Sequence, residues 1–71
     1  MTYHVYFSDN RSNQICDYFI HHLRINKAKA HCLCWAYERH AYSILINVID
    51  ENRIERNKAR FSFYNGYWEN Y

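Results

Sequence analysis

The dipeptide Asn65-Gly66, which lies between two pairs of aromatic residues, is the sequence feature that most restricts how this chain can fold. Asn and Gly both accept positive φ, which the two central residues of a type I′ turn require. The flanking pairs Phe63-Tyr64 and Tyr67-Trp68 are made of β-forming residues. The sequence therefore predicts a C-terminal antiparallel hairpin closed by a two-residue turn.

Two other segments alternate in the way that half-buried strands do. Residues 3–8 and residues 42–49 each carry three large apolar side chains on one face. These are Tyr3, Val5 and Phe7 in the first segment and Ile44, Ile46 and Val48 in the second. We expect both segments to be strands.

Two segments are predicted to be helices. The first covers about residues 10–24, because Ser8-Asp9-Asn10 can cap a helix and the apolar residues after it recur at helical spacing. These apolar residues are Ile15, Cys16, Phe19, Ile20 and Leu23. The second predicted helix, residues 51–60, follows the capping residue Asp50 and is mostly charged.

Residues 28–37 fit two structures. Four of them have helical spacing, namely Ala28, Cys32, Trp35 and Ala36. Small residues nevertheless alternate strictly with larger ones over residues 30–37, and on that ground we predict a strand.

The predicted order of elements is β-α-β-β-α-β in one α+β domain, residues 1–71. With right-handed crossovers and both helices on one sheet face, this order gives a small ferredoxin-like sandwich. The alternative is a β-α-β-β meander with a peripheral short helix and the C-terminal hairpin.

Composition limits the kind of protein further. A chain of 71 residues has room for one core, and a core of that size needs a disulfide, a metal, a partner or heavy side chains. Aromatic residues make up 20% of this chain, so we expect large aromatic side chains to stabilise the core. The net charge of +2 is too small to indicate nucleic acid or acidic lipid through bulk charge.

The cysteines and the hydropathy pattern indicate a cytoplasmic location. Cys16, Cys32 and Cys34 are an odd number with no secretory leader before them, which is typical of a reducing compartment. No apolar run approaches the roughly 20 residues of a membrane span. Residues with AT-rich codons are abundant, and this favours a phage or mobile-element gene.

We expect no metal, no cofactor and no enzymatic activity. Cys32 and Cys34, with His31 and His40, supply zinc-ligand types, but Cys-x-Cys has one residue too few between the sulfurs for a zinc knuckle, and the sequence leaves the question open. No glycine-rich phosphate loop can form around a single glycine. A toxin-type ribonuclease could use positioned acid, base and phosphate-binding groups alone. Its candidates here are His4, Tyr6, Arg39 and His40.

The segment that begins at Val5 and ends at Asn10 distantly resembles the first ribonucleoprotein motif of RNA-recognition domains, in which an aromatic residue at the second position stacks on a base. Tyr6 is the residue in that position. The resemblance covers six residues, and residues 40–47 lack the glycine of the companion motif. Single-stranded nucleic acid is therefore the second choice of partner, with His4, Tyr6, Arg39 and His40 as its contacts.

A partner-binding surface is predicted from two groups of residues. Arg53, Arg56 and Arg60 fall on one side of the predicted second helix, where they form an arginine stripe. The C-terminal hairpin carries more rings than a small core can bury, and Tyr, Trp and Arg are the residues enriched at interface hot spots. These rings belong to Tyr64, Tyr67, Trp68 and Tyr71.

The sequence thus favours a small non-enzymatic binding or inhibitor protein. By analogy of size and composition with anti-defence and anti-CRISPR proteins, it would dock on a host protein or ribonucleoprotein complex and block it. A homodimer through the hairpin is a further possibility that the sequence leaves open.

Overall fold

In a computed structural model, which describes residues 1–21 and 24–71, the chain forms one five-stranded antiparallel sheet and one helix. The elements are β1 (Thr2–Ser8), β2 (Gln14–His21), α1 (Ile25–Glu38), β3 (Ser43–Ile49), β4 (Glu55–Ser62) and β5 (Tyr67–Asn70). Across the sheet the strands run in the order β2-β1-β3-β4-β5. The described part of the chain contains no helix long and apolar enough to cross a membrane.

The α+β class is confirmed, whereas the ferredoxin-like order is not. That order requires two crossover helices, and the described residues contain one, which connects β2 to β3. The predicted strands at residues 3–8 and 42–49 are confirmed as β1 and β3, and they pair with each other at the centre of the sheet.

The helix covers one face of the sheet and leaves the other open, and we call these the covered face and the open face. The core lies between α1 and the covered face. Its largest fully buried side chains come from the alternating positions of the two central strands and from the helix; they are Phe7, Ile44, Ile46, Val5 and Cys32.

The prediction of a strand over residues 28–37 is wrong, because the helical spacing of the small residues decides the structure. Ala28, Cys32 and Ala36 lie one turn apart on the side of α1 that faces the sheet, and all three are fully buried. Small side chains at these positions let the helix approach the sheet closely.

The predicted helix at residues 10–24 is also wrong, since most of it is a turn followed by β2. Cys16 and Ile20 point to the covered face and Phe19 points to the open face, whereas Ile15 is an exposed residue at a bulge. A strand with apolar residues on both faces produces the same spacing as a helical stripe. Leu23, the last residue of that predicted stripe, lies outside the described residues.

The predicted helix at residues 51–60 is a turn followed by β4. Ala59 and Phe61 alternate along the strand and are buried on the covered face. The arginine stripe therefore does not form. Arg56 pairs with Val48 on the covered face, whereas Arg60 pairs with Leu45 on the open face. The two side chains point in opposite directions because a β-bulge adds one residue to β4 between Asn57 and Ala59.

The two aspartates that were expected to cap helices instead close hairpins. The Asp9 carboxylate accepts hydrogen bonds from the backbone N–H groups of Arg11 and Asn13, both at 2.9 Å. The Asp50 carboxylate accepts the equivalent bonds from Asn52 at 2.8 Å and Ile54 at 3.0 Å. Both turns have the same backbone hydrogen bonds between the aspartate and the residues three and four positions later.

The C-terminal hairpin is confirmed, but its two-residue turn is wrong. Residues 63–66 form a four-residue loop in which the Gly66 N–H donates to the Ser62 carbonyl at 2.8 Å, and positive φ occurs at Gly66 alone. The longer loop pairs Phe61 with Trp68 on the covered face, where the two rings lie 5.2 Å apart. Burial of these rings therefore sets the register.

Candidate functional site

A buried histidine lies at the centre of the open face. His4 is 8% exposed, and the alternation of β1 places it between Phe19 of β2 and Asn47 of β3. Its ring stacks on Phe19, with centroids 4.2 Å apart and planes at 22°, and lies 4.2 Å from the Tyr6 ring. The two aromatic neighbours shield the imidazole from solvent on an otherwise uncovered surface.

Both nitrogens of His4 are within hydrogen-bond distance of carboxylates. Nε2 lies 2.6 Å from Asp17 Oδ2 on β2, and Nδ1 lies 3.0 Å from Glu55 Oε2 on β4. The Tyr6 hydroxyl donates to Glu55 Oε1 at 3.0 Å, and the Asn47 amide donates to the same oxygen at 3.2 Å. The open face thus holds a cluster that links four strands, which we call the His4 cluster: His4, Tyr6, Asp17, Asn47 and Glu55.

The electrostatics of this cluster favour the charged imidazolium. Burial by itself lowers the pKa of His4, but the hydrogen bonds and charges of Asp17 and Glu55 outweigh it and raise the pKa above 6.5. The hydrogen bond from His4 in turn lowers the pKa of Glu55. Burial, together with the hydrogen bond to Glu55, raises the pKa of Tyr6. The stable arrangement is one cation held between two carboxylates.

This geometry limits the chemistry of His4. An imidazole that acts as a general base needs one nitrogen directed at the proton it removes. Each nitrogen of His4 instead faces a carboxylate of the protein itself, so the ring acts as a positive link between β2 and β4.

Several large side chains elsewhere on the open face, and Phe19 of β2, are exposed. Phe19 and Tyr67 are each 58% exposed and Tyr71 is 63% exposed. The register places Tyr67 opposite Ser62, and Tyr71 lies beside Arg60 in a shallow recess at the other end of the sheet.

The predicted hairpin residues do not act as one surface. Tyr64 is exposed in the loop between β4 and β5, whereas Tyr67 and Tyr71 lie on the open face. Trp68 points to the covered face, where it is half-buried against Phe61 and beneath the Lys29 ammonium, 5.4 Å from the ring. Alternation along β5 explains the separation.

The residues predicted for nucleic-acid binding or ribonuclease chemistry fall into two separate places. His4 and Tyr6 lie together on the open face. Arg39 follows α1, where its Nε donates to the Tyr18 hydroxyl at 2.7 Å and its guanidinium lies 4.9 Å from the Tyr18 ring. His40 is exposed at the end of the helix, with φ of 54°. The sheet therefore separates the two pairs.

The cysteines are also separated. Cys32 is buried beneath the helix, and burial raises the pKa of its thiol to about 12, whereas Cys34 is exposed on the other side of α1. Within residues 1–21 and 24–71, no group of three or more His, Cys, Asp or Glu side chains could hold a metal ion.

Sequence reasoning missed Asp17, Phe19 and Glu55, the residues that make the environment of His4. Of these three residues, only Asp17 could have indicated the site from sequence, because it is the one acidic residue in a run of mostly β-forming residues. Glu55 could not be connected to His4, because the residues are 51 positions apart and join only through the strand order.

Comparison with known proteins gives no relative: no protein-family model, no curated protein and no solved structure matches this chain. Any functional inference therefore depends on the geometry alone.

Proposed function

We propose that this chain is a small non-enzymatic binding protein that docks on a larger protein through the open face of its sheet. The observation that carries the proposal is the exposure of Phe19, Tyr67 and Tyr71 on a sheet face that no other described element covers. Exposed rings bordered by charged groups are typical of the centre of protein interfaces. Steric blocking of a host protein or ribonucleoprotein by a phage-encoded chain stays a prediction.

The charges on the open face favour a protein over nucleic acid. Asp17 and Glu55 lie beside Phe19 and Tyr6, the rings on which a base would stack. Phosphates that follow a stacked strand would be repelled by these carboxylates, whereas a lysine or arginine of a protein partner would be attracted. Nucleic acid therefore ranks second.

The enzymatic alternative has less support. A ribonuclease needs an acid, a base and a phosphate-binding group within reach of one substrate. His4 has both nitrogens against carboxylates, and Arg39 and His40 lie at the end of the helix. The proposal is therefore a binding protein without catalytic activity.

The proposal is tested by capture of partners with immobilised wild-type protein and a double variant, Phe19→Ser/Tyr67→Ser. Hot-spot rings each contribute about 2 kcal/mol, so the variant should bind at least about thirtyfold more weakly. The captured protein is identified by mass spectrometry and purified. Its affinity for the wild type and for the double variant is then measured. Both substituted positions are exposed, but the Phe19 ring also stacks on His4, so urea denaturation of the double variant must first show that it is folded.

Tyr37→Ser is the matched control, because Tyr37 is 78% exposed on α1, on the far side of the molecule from the open face. This variant should bind as the wild type does. Equal affinity in the double variant would refute the open face as the binding surface. Capture that disappears after nuclease treatment would favour nucleic acid as the partner.

A further inference from the structure

A recess at one corner of the open face is lined by hydrogen-bonding groups and one cation. It has a volume of about 280 Å³ and lies where the β1–β2 turn, the start of β3 and the middle of β4 meet. Its polar lining consists of Ser8, Ser12, Ser43, Asn57, Arg60 and Tyr71. None of the lining residues is acidic, which distinguishes this corner from the rest of the open face.

The Arg60 guanidinium is available to a ligand. It forms no ion pair and no hydrogen bond with any residue that the structure describes. Glu69 is directly opposite Arg60 in the register of β4 and β5, but the two make no ion pair. Leu45, the other neighbour of Arg60 in the sheet, is apolar and half-buried. An unpaired guanidinium in a recess that is also lined by three serines and a tyrosine is arranged to receive an anion.

We propose that this recess binds a single phosphoryl group, as a phosphomonoester or as inorganic phosphate. A carboxylate is planar and is satisfied by one guanidinium through two parallel hydrogen bonds. The hydroxyl groups of Ser8 and Ser43 sit opposite each other on β1 and β3, and Ser12 approaches from the turn. Donors that come from several directions fit the tetrahedral oxygens of phosphate better than a carboxylate.

The size and the surroundings of the recess set the ligand class. A volume near 280 Å³ is at the lower limit of ligand pockets, which run from about 300 to 1,000 Å³. It accommodates one phosphoryl group with a small attachment. A nucleic acid strand bound here would place its other phosphates near Asp17, Glu55 and Glu69 on the same face. Repulsion between these like charges disfavours nucleic acid as the ligand.

Ser12 occupies a turn position whose backbone conformation recurs elsewhere in the chain. Its φ is 65°, a conformation that favours glycine and costs a side chain about 1–2 kcal/mol. Arg53 occupies the same position of the equivalent Asp50 turn, with φ of 62°. The two turns therefore permit a matched comparison, since Arg53 lies in a different cavity, whose lining contains Asp50, Glu51 and Glu55.

The test is a titration of the full ¹⁵N-labelled chain with inorganic phosphate, followed by NMR at constant ionic strength set with sodium chloride. We expect saturable shifts of the Ser8, Ser12 and Ser43 amides and of Arg60 Nε, with a dissociation constant on the order of 1 mM. Arg60→Gln should weaken binding about tenfold or more, because the charge-assisted bonds are lost. Arg56→Gln, on the covered face, should leave binding unchanged.

Ser12→Gly separates binding from stability. It should raise the melting temperature by removing the strained φ, and it should weaken phosphate binding about threefold by removing a hydroxyl. Arg53→Gly should raise the melting temperature without changing phosphate binding. Glu69→Gln should strengthen binding, since it removes a carboxylate opposite Arg60.

The source of the phosphoryl group is distinguished by a second titration with O-phosphoserine. Binding at least as tight as that of inorganic phosphate indicates a phosphorylated side chain or small phosphomonoester, and weaker binding indicates free phosphate. Equal affinity for acetate, or shifts in Arg60→Gln that match the wild type, would overturn the proposal. The titration needs no protein partner, so its failure leaves the proposed function untouched.

Discussion

His4 shows how one side chain can carry a charge inside a sheet. The imidazole is almost fully buried, yet each nitrogen meets a carboxylate from a different strand, Asp17 on β2 and Glu55 on β4. Tyr6 adds a hydroxyl donor to Glu55. A buried cation is tolerated in proteins when it is paired and hydrogen-bonded in this way.

The His4 cluster makes stability depend on pH in a definite direction. The folded-state pKa of His4 lies above 6.5, so its contribution is complete below pH 6.5 and is lost as the pH rises through the folded-state value. The folded-state pKa of Glu55 lies below 4.5, so its contribution is present above pH 4.5 and is lost as the pH falls. The contribution of the cluster to the free energy of unfolding should therefore be greatest between pH 4.5 and pH 6.5.

His4→Gln tests this dependence. The variant should be less stable than the wild type near pH 6, and the difference should shrink as the pH rises through the folded-state pKa of His4. Urea denaturation across that range measures both. His40→Asn, which removes an exposed imidazole at the end of α1, should keep the wild-type slope. An unchanged slope in His4→Gln would contradict the assignment.

At the scale of elements, the small residues of α1 determine how the helix lies on the sheet. Ala28, Cys32 and Ala36 are fully buried at one-turn spacing. The helix ends just after Ala36 with His40 in the left-handed region, and the Ala41 N–H donates to the Ala36 carbonyl at 2.8 Å. This bond is the long one of a Schellman motif, so Ala36 has two roles at the helix terminus.

Ala36→Leu should destabilise the fold by about 1–3 kcal/mol, because three additional carbons cannot fit between helix and sheet without displacing one of them. Ala30→Leu is the matched control, since Ala30 is exposed on the opposite side of the same helix. Its effect should stay within about 0.5 kcal/mol. Chemical denaturation measures both values, and equal losses would show that α1 does not pack through this side.

The central strands could be predicted from sequence, and the elements around them could not. Residues 3–8 and 42–49 have one buried face each, so their alternation is clear. In β2, apolar residues on both faces imitate a helix. The mistaken helix at residues 51–60 began with Asp50, whose carboxylate accepts backbone N–H bonds in a hairpin turn as it would at a helix start.

Only some residues of the His4 cluster could be named from the sequence. His4 and Tyr6 were named as candidates for nucleic-acid contact or ribonuclease chemistry, and they lie together on the open face. Their neighbours Asp17 and Glu55 come from strands that were expected to be helices. Arg60 was predicted to bind a partner within a stripe, but a β-bulge between Asn57 and Ala59 puts it on the opposite face of β4 from Arg56.

At the scale of the whole molecule, the centre of the sheet should resist local opening more than its β5 edge does. Each of β1 and β3 has a paired strand on both sides, whereas β5 has four residues and pairs only with β4. Local opening should therefore need far less free energy at β5 than at the centre.

Hydrogen exchange should reveal this gradient. Hydrogen-bonded amides of β1 and β3 should exchange at rates set by global unfolding, and those of β5 at least about tenfold faster, as in other proteins whose edges open locally. NMR exchange rates as a function of denaturant separate the two classes. Exchange of β5 amides as slow as that of β3 would show that the hairpin opens only with the entire sheet.

The two aspartate turns have one more consequence. An approximate two-fold axis through the Val5–Ile46 pair relates the β1–β2 hairpin to the β3–β4 hairpin and carries Ser12 onto Arg53. The two corners of the open face therefore share a turn but differ in charge: one is lined by Arg60, and the other by three carboxylates, Asp50, Glu51 and Glu55, beside Arg53. A partner that spans both corners can bind in one direction only, because rotating it about this axis brings its anionic end to the carboxylates.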